Sequence, residues 1–401
     1  MGILTALTER RESSAERKTV ALTRYERVRD VSPSPSTTSE SGAPDIDSGI
    51  RHDRPIVSRR NTCIRICLYL TAASTFVIAI LLILLTSLVH TLVNRLSPHR
   101  QPTGVDRIIE NWSLPNYDPF DPWPTQFTAG INPVNCHSHN DYSRLVPLYS
   151  ALAAGCISVE ADIWLPPDGP ELLIGHTARS LTPDKTLRSL YLDPLLKILE
   201  FQNQLPNNEP AGVFESSPTT SLVLLVDFKT EDDELWTRLH SQLDPLRAKG
   251  WLTRWDTGTN SRIAGPITVV ATGSAPFARV VQSRTHDIFF DAPLTALAGN
   301  TTFTTQNSYY ASTSMGEAVG SVWTHLRPSQ LEIVRGQIGA ARERGLVSRY
   351  WGTPGWPMAW RNRVWEDLVE SGVGVLNVDS LETAALWDWR VCEVAGLRLC
   401  G

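Results

Sequence analysis

Two histidines two residues apart, His137 and His139, stand in "VNCHSHNDY" directly behind an apolar run. Further on, "SVEADIW" carries Glu160 and Asp162, "ELLIGH" ends on His176, and "LVLLVDFKT" carries Asp227 and Lys229. Each cluster closes a short hydrophobic stretch, the pattern of a strand running out at the end of a sheet. Successive strand residues alternate faces, so an i, i+2 pair shares one. Glu160 and Asp162 therefore lie together with Val159 and Ala161 opposite, and Asp227 and Lys229 lie together with Val226 and Phe228 opposite. Burying carboxylates side by side is costly unless a cation or hydrogen bonds compensate. Three carboxylates from two strands suit a divalent ion with oxygen ligands, Mg2+ or Ca2+. A lysine beside them suits a phosphate oxygen, and histidines suit a general base and a general acid. Taken singly, a strand E-x-D pair or a loop histidine is more often structural. Four such features in order, each at a strand end, point to a site.

The elements that would position them alternate along residues 131–390. Strand candidates are 131–136, 156–162, 171–176, 221–229, 267–272, 287–292, 347–353 and 373–379. Helical stretches fall at 144–154, 187–203, 231–248, 328–344 and 359–371, with apolar residues three to four apart, as at Leu331, Val334 and Ile338. Strands alternating with helices argue for a parallel sheet. Eight of them over roughly 260 residues match a (β/α)8 TIM barrel, typically about 250 residues long. A doubly wound open sheet is the alternative. In either fold, chemistry sits at the carboxyl ends of the strands.

The segments "HSHNDY", "SVEADIWL" with "LLIGHTARSL", "LLVDFKT", "DIFFDAP" and "RYWGTPGWP" resemble the fungal altered inheritance of mitochondria protein 6 family. That family is similar to the PLC-like phosphodiesterases, which include glycerophosphodiester phosphodiesterases and sphingomyelinase D-type phospholipases. The resemblance covers about residues 130–390 and implies the same barrel. It implies a phosphoric diester hydrolase in which His137 and His176 form an acid–base pair. Glu160, Asp162 and Asp227 would hold Mg2+ or Ca2+, and Lys229 would contact the phosphate. His139 is either the first histidine itself, a phosphate donor or a loop residue, with a supporting role favoured. Asp291, Asn377 and Asp379 also fall near strand ends, where each suits a structural cap as well as a site. Two departures, Gly355 where the family carries an Asp and the "NVDS" ending, touch substrate contacts more than the acid–base core. The implied substrate is a glycerophosphodiester or a phospholipid head group. Tryptophans such as those in "WGTPGWPMAW" suit core packing more than a head-group pocket.

Two other classes compete. An amidohydrolase or polymerase-and-histidinol-phosphatase metal hydrolase also opens on H-x-H, but needs more histidines at later strand ends. After His176 only His240, His286 and His325 remain, none closing an apolar run. A catalytically silent barrel serving as a luminal binding module has the same sequence signature. Nucleic acid is not expected as a partner: residues 101–401 carry 23 Lys+Arg against 33 Asp+Glu, the opposite of a basic binding face.

The first hundred residues are different in kind, with 14 Lys+Arg against 9 Asp+Glu. Residues 1–65 hold a single aromatic before the apolar run, Tyr25, until Tyr69, and stretches such as "SPSPSTTSESGAP"; such a composition implies a disordered tail. Nine acidic residues in it are unlike an acid-poor transit peptide, so mitochondrial import is not expected. Residues 66–94 then read as a transmembrane signal anchor, with no charged residue between Arg65 and Arg95. Residues 95–130 read as a linker and 131–395 as the barrel. Arg51, Arg54, Arg59, Arg60 and Arg65 precede the span, against Arg95, Arg100 and Arg107 after it. The positive-inside bias places the N-terminus in the cytosol and the barrel in a luminal or extracellular space. Sequons at Asn111 and Asn300 fit a glycoprotein there. Cys392 and Cys400 either pair in that oxidising space or stay free, and Cys63 and Cys67 at the membrane edge are candidates for acylation.

Overall fold

The computed structural model describes residues 57–96, 101–166, 168–204, 209–385, 393–394 and 397–398. The chain divides into two compact units, residues 1–97 and 98–401. In the first, α1 (Val57–Leu96) is one 40-residue helix. Its stretch Asn61–Leu92 is long and apolar enough to cross a membrane by length and composition. Cys63 and Cys67 on it are unbridged. The expected tail before residue 57, and Cys392 and Cys400, lie outside the described residues.

In the second unit, eight parallel strands form a ring. They are β1 (Val134–Ser138), β2 (Cys156–Trp164), β3 (Leu222–Phe228), β4 (Ile267–Gly273), β5 (Ile288–Pro293), β6 (Ser308–Ser314), β7 (Val347–Trp351) and β8 (Val375–Val378). Each pairs with its sequence neighbour, and β1 pairs with both β2 and β8, which closes the barrel. Closure leaves no edge strand, and burial on both faces explains why β3 is almost continuously apolar.

Strand parity then sorts the side chains into two compartments. Outward residues such as Val159, Ala161, Ile163, Val226 and Phe228 join the large core between barrel and helices. Inward residues stack in layers: Val223, Leu225, Val270, Tyr310 and Val375 form a small apolar plug. Above it, two residues further along the same strands, come Asp227, Thr272, Ser312 and Asn377. The barrel thus has a dry floor and a polar upper layer at the carboxyl ends of its strands.

The count of eight strands holds, but its membership changes. The stretch 171–176 is no barrel strand: Leu173–Ile174 pairs antiparallel with the far end of β2. The missing strand is β6, "SYYASTS", whose small polar residues disguise it in the sequence. From residue 101 on, the stretch read as a linker is built into the domain. It contains α2 (Gly104–Asn111), started by a capping box between Thr103 and Asp106, and buries Val105, Ile108 and Phe127. Cys136 on β1 and Cys156 on β2, both buried, form a disulfide with Cα atoms 4.7 Å apart.

Candidate active site

Behind β1 the chain turns sharply at Asn140, which adopts a left-handed conformation (φ 47°), an arrangement Asn tolerates better than most residues. His137 and His139 share the inward face but sit at different depths. His137 is fully buried inside the barrel, its Nδ1 2.7 Å from Ser158 Oγ and its Nε2 3.3 Å from Glu160 Oε2. Burial outweighs its contact with Glu160 and pushes its pKa down to about 4, so the ring is neutral at pH 7. A proton on Nε2 satisfies both contacts, with Ser158 donating to Nδ1. His139 stands one layer higher, on the wall of an open cavity of about 280 Å3. Its Nδ1 lies 2.8 Å from Asp379 Oδ1, and its Nε2 lies 4.0 Å from Glu160 Oε2. Burial lowers the pKa of this ring, but the hydrogen bond to Asp379 and the charges of Glu160 and Asp379 outweigh it and raise it overall. The same hydrogen bond holds Asp379 below the usual carboxylate range.

The three carboxylates converge as their spacing predicts. Asp162 on β2 is in register with Asp227 on β3, and ligand atoms of Glu160, Asp162 and Asp227 all lie within 4.8 Å of one another. Glu160 Oε2 accepts the Asn140 N–H at 3.0 Å. Burial pushes Glu160 up, yet the hydrogen bond to His137 and the neighbouring positive groups hold it well below the ordinary range. Asp162 Oδ2 accepts from the Tyr142 hydroxyl at 2.6 Å and from Lys229 Nζ at 2.7 Å. Lys229 Nζ also reaches Asp227 Oδ2 at 2.6 Å, and this double pairing raises the lysine pKa against the effect of burial. Asp227 is pushed up, first by burial and then by the charges of Asp162 and Glu160, against the pull of Lys229. His176 comes from the loop after Leu173–Ile174. Its Nδ1 lies 3.3 Å from Asp162 Oδ2, with the ring largely exposed to the cavity.

The donor set fits a divalent cation on two observations. Asp162 Oδ1 is buried with no hydrogen-bond partner, although such groups are nearly always satisfied. One ammonium, that of Lys229, also sits among three converging carboxylates, Glu160, Asp162 and Asp227.

His139, His176, Glu160, Asp227 and Lys229 all line the one cavity; His137 does not. Among the residues the sequence reading missed, Arg349 on β7 is buried yet borders the cavity. It donates to Ser312 Oγ at 3.0 Å and Asn377 Oδ1 at 2.8 Å, and lies 3.4 Å from Asp291 Oδ2. The visible signal was an arginine inside the strand-like run "VSRYW". Tyr142 and Gly273 also went unread. Trp351 borders the cavity and Trp356 is exposed, while Trp236, Trp251, Trp255 and Trp365 pack in the interior.

Comparison with known proteins agrees with the residue pattern. The family model described as the AIM6-like phosphodiesterase domain matches residues 125–291. An altered inheritance of mitochondria protein 6 homolog from Arthroderma benhamiae is 41% identical over 276 residues, covering 65% of this chain and 86% of that protein. The chain belongs to the altered inheritance of mitochondria protein 6 family. The family member from Eremothecium gossypii is 36% identical, covering 62% of this chain and 68% of its own length. Among solved structures, the phosphatidylinositol-specific phospholipase C from Listeria monocytogenes is similar at 14% identity and a TM-score of 0.34. That match covers 64% of this chain and 92% of the other. By the family-model match over residues 125–291, this family member carries a phosphodiesterase-type domain.

Proposed function

We propose that the barrel is a metal-dependent phosphoric diester hydrolase, acting on glycerophosphodiesters or phospholipid head groups, with His139 and His176 as its proton-transfer pair. The observation that carries this reading is the His139–Asp379 pair. With Nδ1–H committed to Asp379, the remaining Nε2 faces the cavity beside the carboxylate cluster. This is the arrangement of a base whose tautomer and orientation are fixed by a carboxylate. It exchanges the roles that the resemblance favoured. His137, buried, neutral and committed at both ring nitrogens, serves instead to orient Glu160.

In this mechanism Lys229 and Arg349 attract the phosphodiester anion into the cavity. His139 Nε2 takes the proton of the attacking oxygen while Asp379 stabilises the imidazolium that forms. His176 gives a proton to the leaving oxygen. Glu160, Asp162 and Asp227 would hold Mg2+ or Ca2+, which would neutralise the phosphate charge and favour cleavage of its P–O bond. Tyr142, whose proton is retained because burial raises its pKa, orients Asp162. A polar cavity of about 280 Å3 suits a phosphate with a small polar head group.

We further infer that the chain is a single-pass membrane protein whose barrel faces a luminal or extracellular space. The apolar stretch Asn61–Leu92 supports the anchor. The arginine bias and the Cys136–Cys156 disulfide support the orientation, because disulfides persist in oxidising compartments. The full chain in detergent, assayed on a panel of glycerophosphodiesters and lysophospholipids, should turn over at least one with Mg2+ or Ca2+ and lose that activity in EDTA. Turnover undiminished by EDTA would remove the metal from the mechanism. No turnover of any diester would favour the silent binding module.

A further inference from the structure

His139 and Asp379 are 240 residues apart in sequence and meet because β1 and β8 are neighbours. The Asp379 side chain is largely exposed, at 77%. Packing therefore does little to hold it, and its position depends on the backbone that carries it. That backbone is gripped by Arg144, the last residue of "HSHNDYSR". The Arg144 Nε donates to Ser138 Oγ at 2.7 Å, Nη1 to the Asp379 carbonyl at 3.1 Å, and Nη2 to the Val378 carbonyl at 3.4 Å. Ser138 immediately precedes His139, and the His139 N–H donates to the same Val378 carbonyl at 3.1 Å. One guanidinium thus touches the residue before His139 and the residue that supplies its carboxylate.

The guanidinium is itself anchored. Asp141 is fully buried, 3.5 Å from Arg144 Nε. Its carboxylate accepts from the Ser138 hydroxyl at 2.6 Å, the Leu148 N–H at 2.6 Å and the Tyr191 hydroxyl at 3.0 Å. A buried charge held by three donors has one orientation, and it fixes the arginine in turn. Arg144 borders a separate groove shared with Leu145, Asp379 and Glu382, not the cavity lined by His139 and His176.

We propose that Arg144, anchored by Asp141, is a positioning residue that clasps the ends of β1 and β8 and so holds Asp379 in line with His139. The inference rests on the reading of His139 as the proton-transfer residue. Arginine is required because its planar fork reaches a hydroxyl and two carbonyls at once, which the single ammonium of lysine does not.

The test is steady-state kinetics of the full chain on whichever diester the wild type cleaves, with Arg144→Lys, Arg144→Ala, Asp379→Ala and the double Arg144→Ala/Asp379→Ala. Arg144→Lys keeps a positive charge beside the buried Asp141, so it guards against a variant that simply unfolds. A displacement of about 1 Å in a reacting group costs up to about 100-fold. Arg144→Lys and Arg144→Ala should therefore lower kcat by about 10- to 100-fold, with KM within about twofold. Added methylguanidine should restore part of the Arg144→Ala rate. The double variant should be no slower than Asp379→Ala alone, because the arginine acts through that residue. Wild-type kcat in both Arg144 variants, or losses that multiply in the double variant, overturns the clasp while leaving the reading of His139 intact. A wild type without turnover, or an Asp379→Ala variant at full rate, overturns that reading and the clasp with it.

Discussion

Gly273, at the end of β4, is the place where one added methyl group tests the site most severely. Its φ is +66°, and a Cβ there would lie 1.9 Å from Asp227 Oδ1 and 2.8 Å from the Phe228 carbonyl. Ordinary contact begins at 3.4 Å, so the Asp227 carboxylate must retreat by about 1.5 Å or the strand end must move. The left-handed backbone adds about 1–2 kcal/mol for an L-residue, and overpacking adds about 1–3 kcal/mol. Gly273→Ala should therefore destabilise the domain by about 2–5 kcal/mol. Moving a carboxylate away from Lys229 and the other two acidic groups should also cost at least about 100-fold in kcat. Gly355→Ala is the control: its Cβ meets nothing within 4 Å and its φ is unremarkable. Thermal unfolding with and without Mg2+, followed by kcat on the best diester substrate, reads both effects. The metal-induced rise in Tm should shrink in Gly273→Ala and persist in Gly355→Ala. Wild-type turnover and metal response in Gly273→Ala would refute the assignment of Asp227 to the working site.

Two further outcomes follow from buried groups. The folded pKa of His137 is about 4, below its unfolded value of 6.5, so the folded state binds fewer protons than the unfolded chain. The stability this group contributes is whole above about pH 6.5 and is lost as pH falls towards 4, to a limit of roughly 3 kcal/mol. Urea titrations between pH 7 and 4.5 should show that slope, and His137→Asn should flatten it. The Cys136–Cys156 bridge closes a loop across a sequence separation of 20, worth about 3 kcal/mol in the chain-entropy account. Alkylation trapping should find it oxidised in cells, and proteolysis of sealed microsomes should spare the barrel. A reduced pair with a digested barrel would reverse the proposed topology.

The alternation rule made the carboxylate cluster legible. "VEAD" and "LVDFK" needed only parity and a parallel register to converge, and Asp162 beside Asp227 is what parity predicts. Depth was not legible. His137 and His139 share a face, so sequence could not say which enters the barrel and which reaches its rim. A register irregularity in β1 against β2 shifts the pairing just before His137, and such a shift leaves no mark in composition. Arg349 was hidden for a related reason, and Asp379 was legible only as a residue near a strand end, since each acquires its meaning from a partner on another strand. β6 escaped because its inward positions on either side of Tyr310 are the small polar residues Ser308 and Ser312, not the branched residues that mark a strand. "ELLIGH" misled in the opposite sense, because Leu172 and Ile174 are buried without belonging to the ring.

His139 is the cavity-facing proton carrier of the proposed mechanism, and turnover of a variant lacking it is the direct measurement. In the full chain, with wild type and His139→Ala assayed side by side on the same diester and metal, kcat of the variant should fall at least about 100-fold, as for loss of a proton-transfer group. Its melting temperature should stay close to wild type, because the ring is partly exposed and its removal opens no core cavity. A folded His139→Ala enzyme that turns over at the wild-type rate would contradict the account.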